Sequence, residues 1–161
     1  EAVFLDLYAG SGAVGLEALS CGAAEVYLVE HDPKCVEVIE DNLQLLDPAQ
    51  RGISAYLLKQ DAFFTIKEFA RQGKKFDIVF FDPPYGLKLA KKTLKTIMSH
   101  DILHPSSFIV AQCDEDEKLP EVDESIIVIK DKVYGSSRLT VYENSGRGAE
   151  AAEDRSKAGG Q

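Results

Sequence analysis

The sequence predicts an α/β fold: a mostly parallel seven-stranded sheet that finishes in an antiparallel hairpin, with helices on both faces. Three observations carry that expectation. First, seven apolar or β-branched runs, at 3–8, 25–29, 53–59, 76–81, 106–112, 125–130 and 137–142, alternate over the first two thirds of the chain with helix-period stretches at 13–21, 33–45, 63–72 and 87–99. Such alternation implies right-handed crossovers and a sheet covered on both sides. Second, Phe76-Asp77-Ile78-Val79-Phe80-Phe81 is nearly all apolar, as a central strand buried on both faces requires. Third, only Asp131-Lys132-Val133-Tyr134-Gly135-Ser136 separates the last two runs, enough to join antiparallel neighbours and too little for a helical crossover.

Taken in order, the first run, Val3-Phe4-Leu5-Asp6-Leu7-Tyr8, leads into "GSGAVG" at residues 10–15 and a helical pattern. Gly10, Gly12 and Gly15 fit G-x-G-x-x-G, the loop that offers backbone N–H groups to a dinucleotide's pyrophosphate. The second run ends at Glu30, twenty residues after Gly10, where a carboxylate takes two ribose hydroxyls. That placement suits NAD and S-adenosylmethionine equally. The third run leads to Asp61, and the fourth ends in Asp82-Pro83-Pro84-Tyr85. In an open α/β sheet the ligand crevice lies beyond the C-terminal strand ends, so all these segments are expected at one edge.

Charge helps to choose between the cofactors. Asp6, Glu30 and Asp61 place three carboxylates about the crevice. A pyrophosphate is repelled by that much negative charge, whereas a sulfonium carrying a net positive charge is attracted. The competing reading is that Asp6 and Asp61 cap local structure. In the tetrapeptide, two prolines remove two backbone donors and hold the chain extended, leaving carbonyls free to accept. The Asp82 carboxylate and a proline carbonyl can accept from an exocyclic NH₂, and Tyr85 offers a flat face to a nucleobase. An amino nitrogen whose hydrogens are both held points its lone pair at an in-line electrophile, so transfer follows from positioning. Asp82 is also placed to take the released proton. A base buried in a duplex must first be flipped out or already be unpaired.

"LDLYAGSGAVGLEALSCGA", "VYLVEHD", "QDAF", "FDIVFFDPPYG" and "KVYGSSRLTVYE" together resemble the class I S-adenosylmethionine-dependent methyltransferases, whose fold is Rossmann-like. More narrowly the chain resembles the ribosomal RNA small-subunit methyltransferase D family, which methylates the exocyclic N2 of a guanine; the likeness runs over residues 2 to 143. The resemblance implies that Asp6, Tyr8, Gly10 and Gly12 line the methionine part of the cofactor, that Glu30 holds the ribose, and that Asp61 and Ala62 meet the adenine. It assigns the guanine amino group to Asp82, Pro83, Pro84 and Tyr85. For Tyr8 a core aromatic at a strand end is the alternative. The implied partner is ribosomal RNA or a ribosomal subunit assembly intermediate, met by a cytoplasmic monomer, or in an organelle interior for a eukaryotic source. Family members also carry a segment ahead of the first strand that closes over the cofactor and approaches RNA; it is not in this sequence, which begins at Glu1 without methionine and reads as a fragment.

The net charge of −9 and pI of about 4.8 argue against clamping nucleic acid by bulk charge. Locally, no acid lies between Pro83 and His100, while Lys88, Lys91, Lys92 and Lys95 recur at helical spacing, either a docking face for RNA phosphate or a solvated face. His100 and His104 have helical spacing, but Pro105 and the expected helix end near Ser99 break a shared surface, and no third ligand is placed, so no metal is expected. Cys21, Cys35 and Cys113 are odd in number and widely spaced, which fits a reducing interior, and no apolar stretch reaches membrane-span length. Residues 144–161, small and polar, are expected to be a disordered tail after a catalytic domain at 1–143. Alternative functions are adenine-N6 or glutamine-amide methylation at the same tetrapeptide, a dinucleotide-binding oxidoreductase, and a non-catalytic scaffold that keeps the fold.

Overall fold

The computed structural model describes residues 2–120, 122 and 124–146. Five parallel strands and four helices follow the expected alternation: β1 (Val3–Leu7), α1 (Ala13–Ser20), β2 (Glu25–Val29), α2 (Pro33–Leu46), β3 (Ser54–Leu58), α3 (Ala62–Gln72), β4 (Phe76–Phe81), α4 (Leu89–Met98) and β5 (Leu103–Asp114). A 3₁₀ turn at Pro48–Arg51 precedes β3, and β6 (Ile126–Tyr134) and β7 (Ser137–Asn144) close the sheet. The strand order is β3-β2-β1-β4-β5-β7-β6, parallel from β3 through β5 and antiparallel at the β5/β7 and β7/β6 pairings. The order reverses between β1 and β4, so their C-terminal ends form the switch-point crevice.

Period-two side chains divide the core into two layers. Leu5, Leu7, Val29, Val79, Phe81 and Ile109 pack with Ala62, Ile66 and Phe69 of α3 and Ala90, Leu94 and Ile97 of α4. Phe4, Val26, Leu28 and Phe80 turn the other way and meet Leu19 of α1 and Ile39 of α2. β4 is accordingly buried from both sides, as its near-continuous apolar run requires. Helix starts are chemically marked: Asp32 caps α2 through Lys34 N–H with Pro33 in the first turn, and Asp61 caps α3 through Phe64 N–H at 3.0 Å.

Two boundaries differ from the sequence expectation by three residues or more. β5 begins at Leu103 rather than 106, because a bulge between the Phe76/Leu103 and Ile78/Phe108 pairs absorbs Pro105, which has no N–H to give a ladder. His104 therefore lies on a strand while His100 follows α4, which separates the two histidines by secondary structure. In the hairpin, Asp131 to Tyr134 are strand and not connection: pairing runs to Tyr134↔Ser137, leaving a two-residue turn in which Gly135 has φ 59°. Asp131 and Lys132 look like loop residues in sequence because β6 is an exposed edge strand that tolerates charge. Asn144 ends β7; of the expected tail, residues 147–161 lie outside the described residues.

Candidate active site

The parallel register Leu7↔Phe81 brings the loop after β1 and the tetrapeptide after β4 to one sheet edge. Side chains at the crevice floor are acidic. Asp6 is 1% exposed; its Oδ2 accepts from Gly15 N–H at 3.2 Å, and its Oδ1 is buried with no hydrogen-bond partner. Burial pushes its carboxyl up to about 7, the Gly15 hydrogen bond opposes this, and the charges of Asp82 and Glu30 add to the rise. Across the switch point, Asp82 Oδ1 is likewise buried and unpartnered, and burial raises that carboxyl too. Two orphaned acceptors, one in β1 and one just past the end of the adjacent β4, are costly unless a hydrogen-bond donor or a cation completes them.

Every glycine N–H of the fingerprint is turned inward. Gly10 N–H donates to Glu30 Oε2 at 2.9 Å, Gly12 N–H to the Ala9 carbonyl at 2.7 Å, and Gly15 N–H to Asp6. The conformations favour glycine at two of these places: φ is 57° at Gly10 and 81° at Gly12. Gly15 instead allows close packing, since a Cβ there would lie 3.2 Å from Val26 Cγ1 and closer still to Leu28 Cδ2. Glu30 also accepts from His31 N–H and Asp32 N–H at 2.8 and 2.9 Å, so one carboxylate ties the loop after β1 to the loop after β2. In a pyrophosphate site these donors would face the ligand. Here two of the three are consumed by acids, and the set fits a cationic group beside Asp6 better than an anionic one.

The remaining expected residues separate into those at the rim and those bonded elsewhere. Asp61 caps α3, and with buried Ala62 it follows the C-terminal end of β3. Tyr8, at φ 83°, packs its ring against the α3/α4 layer and shares a 2.8 Å hydrogen bond with Thr93 Oγ1 of α4. Pro83 is buried, Pro84 exposed, and Tyr85 is 43% exposed. The lysines meet different neighbours. Lys88 precedes α4 with φ 52°; it and Lys91 line a cleft with Asp114, Asp116 and Glu117, and Lys91 N–H donates to Glu117. Lys92 instead sits 4.3 Å from the centre of the Phe63 ring, and Lys95 is exposed. Sequence distance hid the acidic turn, and it hid Thr93 and Ser137, whose hydroxyls bond Tyr8 and Tyr85.

A seven-stranded sheet in this order, with an acidic switch-point crevice and an Asp-Pro-Pro-Tyr segment on its lip, defines a class I methyltransferase fold. A solved S-adenosylmethionine-dependent methyltransferase of Agrobacterium tumefaciens shares it at TM-score 0.65 and 18% identity, over 89% of this chain and 56% of that one. The chain belongs to the family described as Conserved hypothetical protein 95, whose model matches residues 1–143. Ribosomal RNA small subunit methyltransferase D of Haemophilus influenzae is 31% identical over 140 residues, 87% of this chain and 70% of that protein. A solved conserved hypothetical protein of Streptococcus pyogenes superposes at TM-score 0.79 with 33% identity, covering 90% of this chain and 87% of its own. The resemblance read from the quoted motifs is thus met by the family.

Proposed function

We propose that this protein transfers a methyl group from S-adenosylmethionine to the exocyclic N2 of a guanine in small-subunit ribosomal RNA. One observation carries the reading: the unpartnered carboxylate oxygens of Asp6, in β1, and Asp82, directly after the adjacent β4, stand at a crevice whose fingerprint N–H groups are already consumed. The cofactor supplies an electrophilic methyl on a cationic sulfonium. Asp6 provides negative potential on the cofactor's side, Glu30 keeps the loop in the shape that receives the ribose, and Asp61 and Ala62 border the adenine. On the substrate side, Asp82 and the carbonyl of Pro83 or Pro84 hold the two amino hydrogens and Tyr85 covers the base; Asp82 then takes the proton that leaves the nitrogen.

Ribosomal RNA as the substrate, free or in an assembling small subunit, rests on the named function of the Haemophilus relative and on the lysines beside the tetrapeptide. A monomer acting in the cytoplasm accords with that substrate. The test is transfer from labelled cofactor to small subunits and their RNA taken from a strain lacking the corresponding methylation, followed by mapping of the modified base. N2-methylguanine is expected; N6-methyladenine, or label in protein, would overturn the base assignment. Asp82→Ala is expected to abolish turnover while cofactor affinity stays within about twofold. Equal loss of both would remove Asp82 from its role.

A further inference from the structure

The sequence motif ends at Tyr85, but the structure ties that residue to a strand more than fifty positions away. Tyr85 Oη and Ser137 Oγ share a hydrogen bond at 2.7 Å. Ser137 is the first residue of β7, directly after the tight turn at Gly135-Ser136, and pairs with Asp114 at the C-terminal end of β5. The turn is itself anchored: Glu115 N–H donates to the Ser136 carbonyl at 3.0 Å, and Arg138 reaches the Glu115 carbonyl and the Asp131 carboxylate. Among the described residues, the bond to Ser137 is the side-chain hydrogen bond that Tyr85 makes. Tyr85 is 43% exposed, lies between exposed Pro84 and Gly86, and Gly86 has φ 81°. A half-exposed aromatic ring on a short loop loses rotamer freedom when it stacks on a base, and a rigid hydrogen-bond partner settles that ordering in advance.

We propose that Ser137 is a positioning residue of the methyl-transfer site: its hydroxyl, delivered by the anchored β6–β7 hairpin, holds the Tyr85 ring in the orientation that receives the target base. The inference rests on the proposed function above, because it gives Tyr85 the task of covering the base. It assigns to the antiparallel end of the sheet a direct part in substrate binding; the stretch "KVYGSSRLTVYE", which holds Ser137, carries the family resemblance without assigning that part.

The experiment is a double-mutant cycle on steady-state methylation of undermethylated small subunits, with Ser137→Ala, Tyr85→Phe and the double variant. Tyr85→Phe keeps the ring and removes only the hydroxyl. Each single variant is expected to raise KM for the particle by about two- to tenfold, the range of one net hydrogen bond, with cofactor affinity and Tm unchanged. The double variant is expected to be no worse than either single one, since both remove the same bond. Ser137→Thr retains a hydroxyl and is expected to restore most of the wild-type KM. Multiplying effects in the double variant, a kcat loss with unchanged KM, or unaltered kinetics in Ser137→Ala would each overturn the assignment. If the wild-type protein itself transfers no methyl group to the particle, the function fails and not merely this inference.

Discussion

The buried carboxyl of Asp6 gives the sharpest quantitative test of the site. Its neutralisation by Asp6→Asn keeps the shape: the carboxamide oxygen can still accept from Gly15 N–H, and the NH₂ turns toward the position now held by the unpartnered oxygen. In the unfolded chain the carboxyl titrates near 3.8, and in the folded protein at about 7. The folded state therefore holds the proton more tightly. The stability linked to this group is fully present below the unfolded value and is lost as pH climbs through the folded one. At about 1.4 kcal/mol per pH unit, the interval from 3.8 to about 7 amounts to a loss of about 4 kcal/mol in the wild-type protein, and none in the variant. Desolvation is its first cause, and Asp82 and Glu30 contribute the rest.

Urea unfolding of both proteins at intervals from pH 5 to pH 8.5 reads the difference, because titrating groups that do not interact with Asp6 cancel in the subtraction; Asp82 and Glu30, whose charges act on Asp6, add a smaller difference of their own. The stability of Asp6→Asn relative to wild type is expected to grow by about 1.4 kcal/mol per pH unit up to about pH 7 and then level off. The gain has a functional cost. A cationic cofactor favours the ionised carboxylate, so wild-type affinity for S-adenosylmethionine should rise over the same window, and the variant's affinity should be weaker and flat with pH. Parallel stability curves across the whole window would refute the buried-carboxyl argument, and a variant that binds cofactor as tightly as wild type would remove Asp6 from the site.

Gly15→Ala forces a methyl group against Leu28 and Val26, and is expected to cost about 1–3 kcal/mol in unfolding free energy and to weaken cofactor binding through the displaced N–H; an unchanged midpoint in urea would show that α1 can shift away without penalty. The lysines should divide by their neighbours. Lys92→Ala with Lys95→Ala is expected to lower the magnitude of the slope of log K against log salt for RNA binding by about 1.4–1.8, while Lys88→Ala with Lys91→Ala, facing Asp114, Asp116 and Glu117, should lower it less; equal reductions would show that the acidic turn does not screen that pair.

What could be read from sequence follows the range of the interactions involved. The alternation of β1 to β4 with α1 to α3 was legible because hydrophobic period and local capping decide those elements, and their limits lie within one residue of the expected ones at β1, β2 and β4. β5 and the hairpin were less so. A bulge around Pro105 and a charged edge strand obey pairing partners that sequence windows do not contain. In the site, Asp6 within the first strand and Glu30 and Asp82 at the ends of the second and fourth were legible as acids, but not what they hold. That Glu30 accepts from three backbone N–H groups, or that Tyr85 leans on Ser137, depends on loops meeting across the sheet edge.

The glycine fingerprint shows why such a motif does not by itself name a ligand. Gly10 and Gly12 give the loop its left-handed turns, and Gly15 brings the helix close, whatever is bound. The sign of the potential the loop presents is decided by the partners of its N–H groups. With those groups free, the helix start attracts phosphate. With Asp6 beneath Gly15 and Glu30 across from Gly10, the same backbone is neutralised from below and the remaining field comes from carboxylates. On the proposed reading, an acid inside β1, four residues ahead of the first glycine, converts an anion cradle into a cation-seeking crevice, and removing its charge should move the site's preference back toward anions.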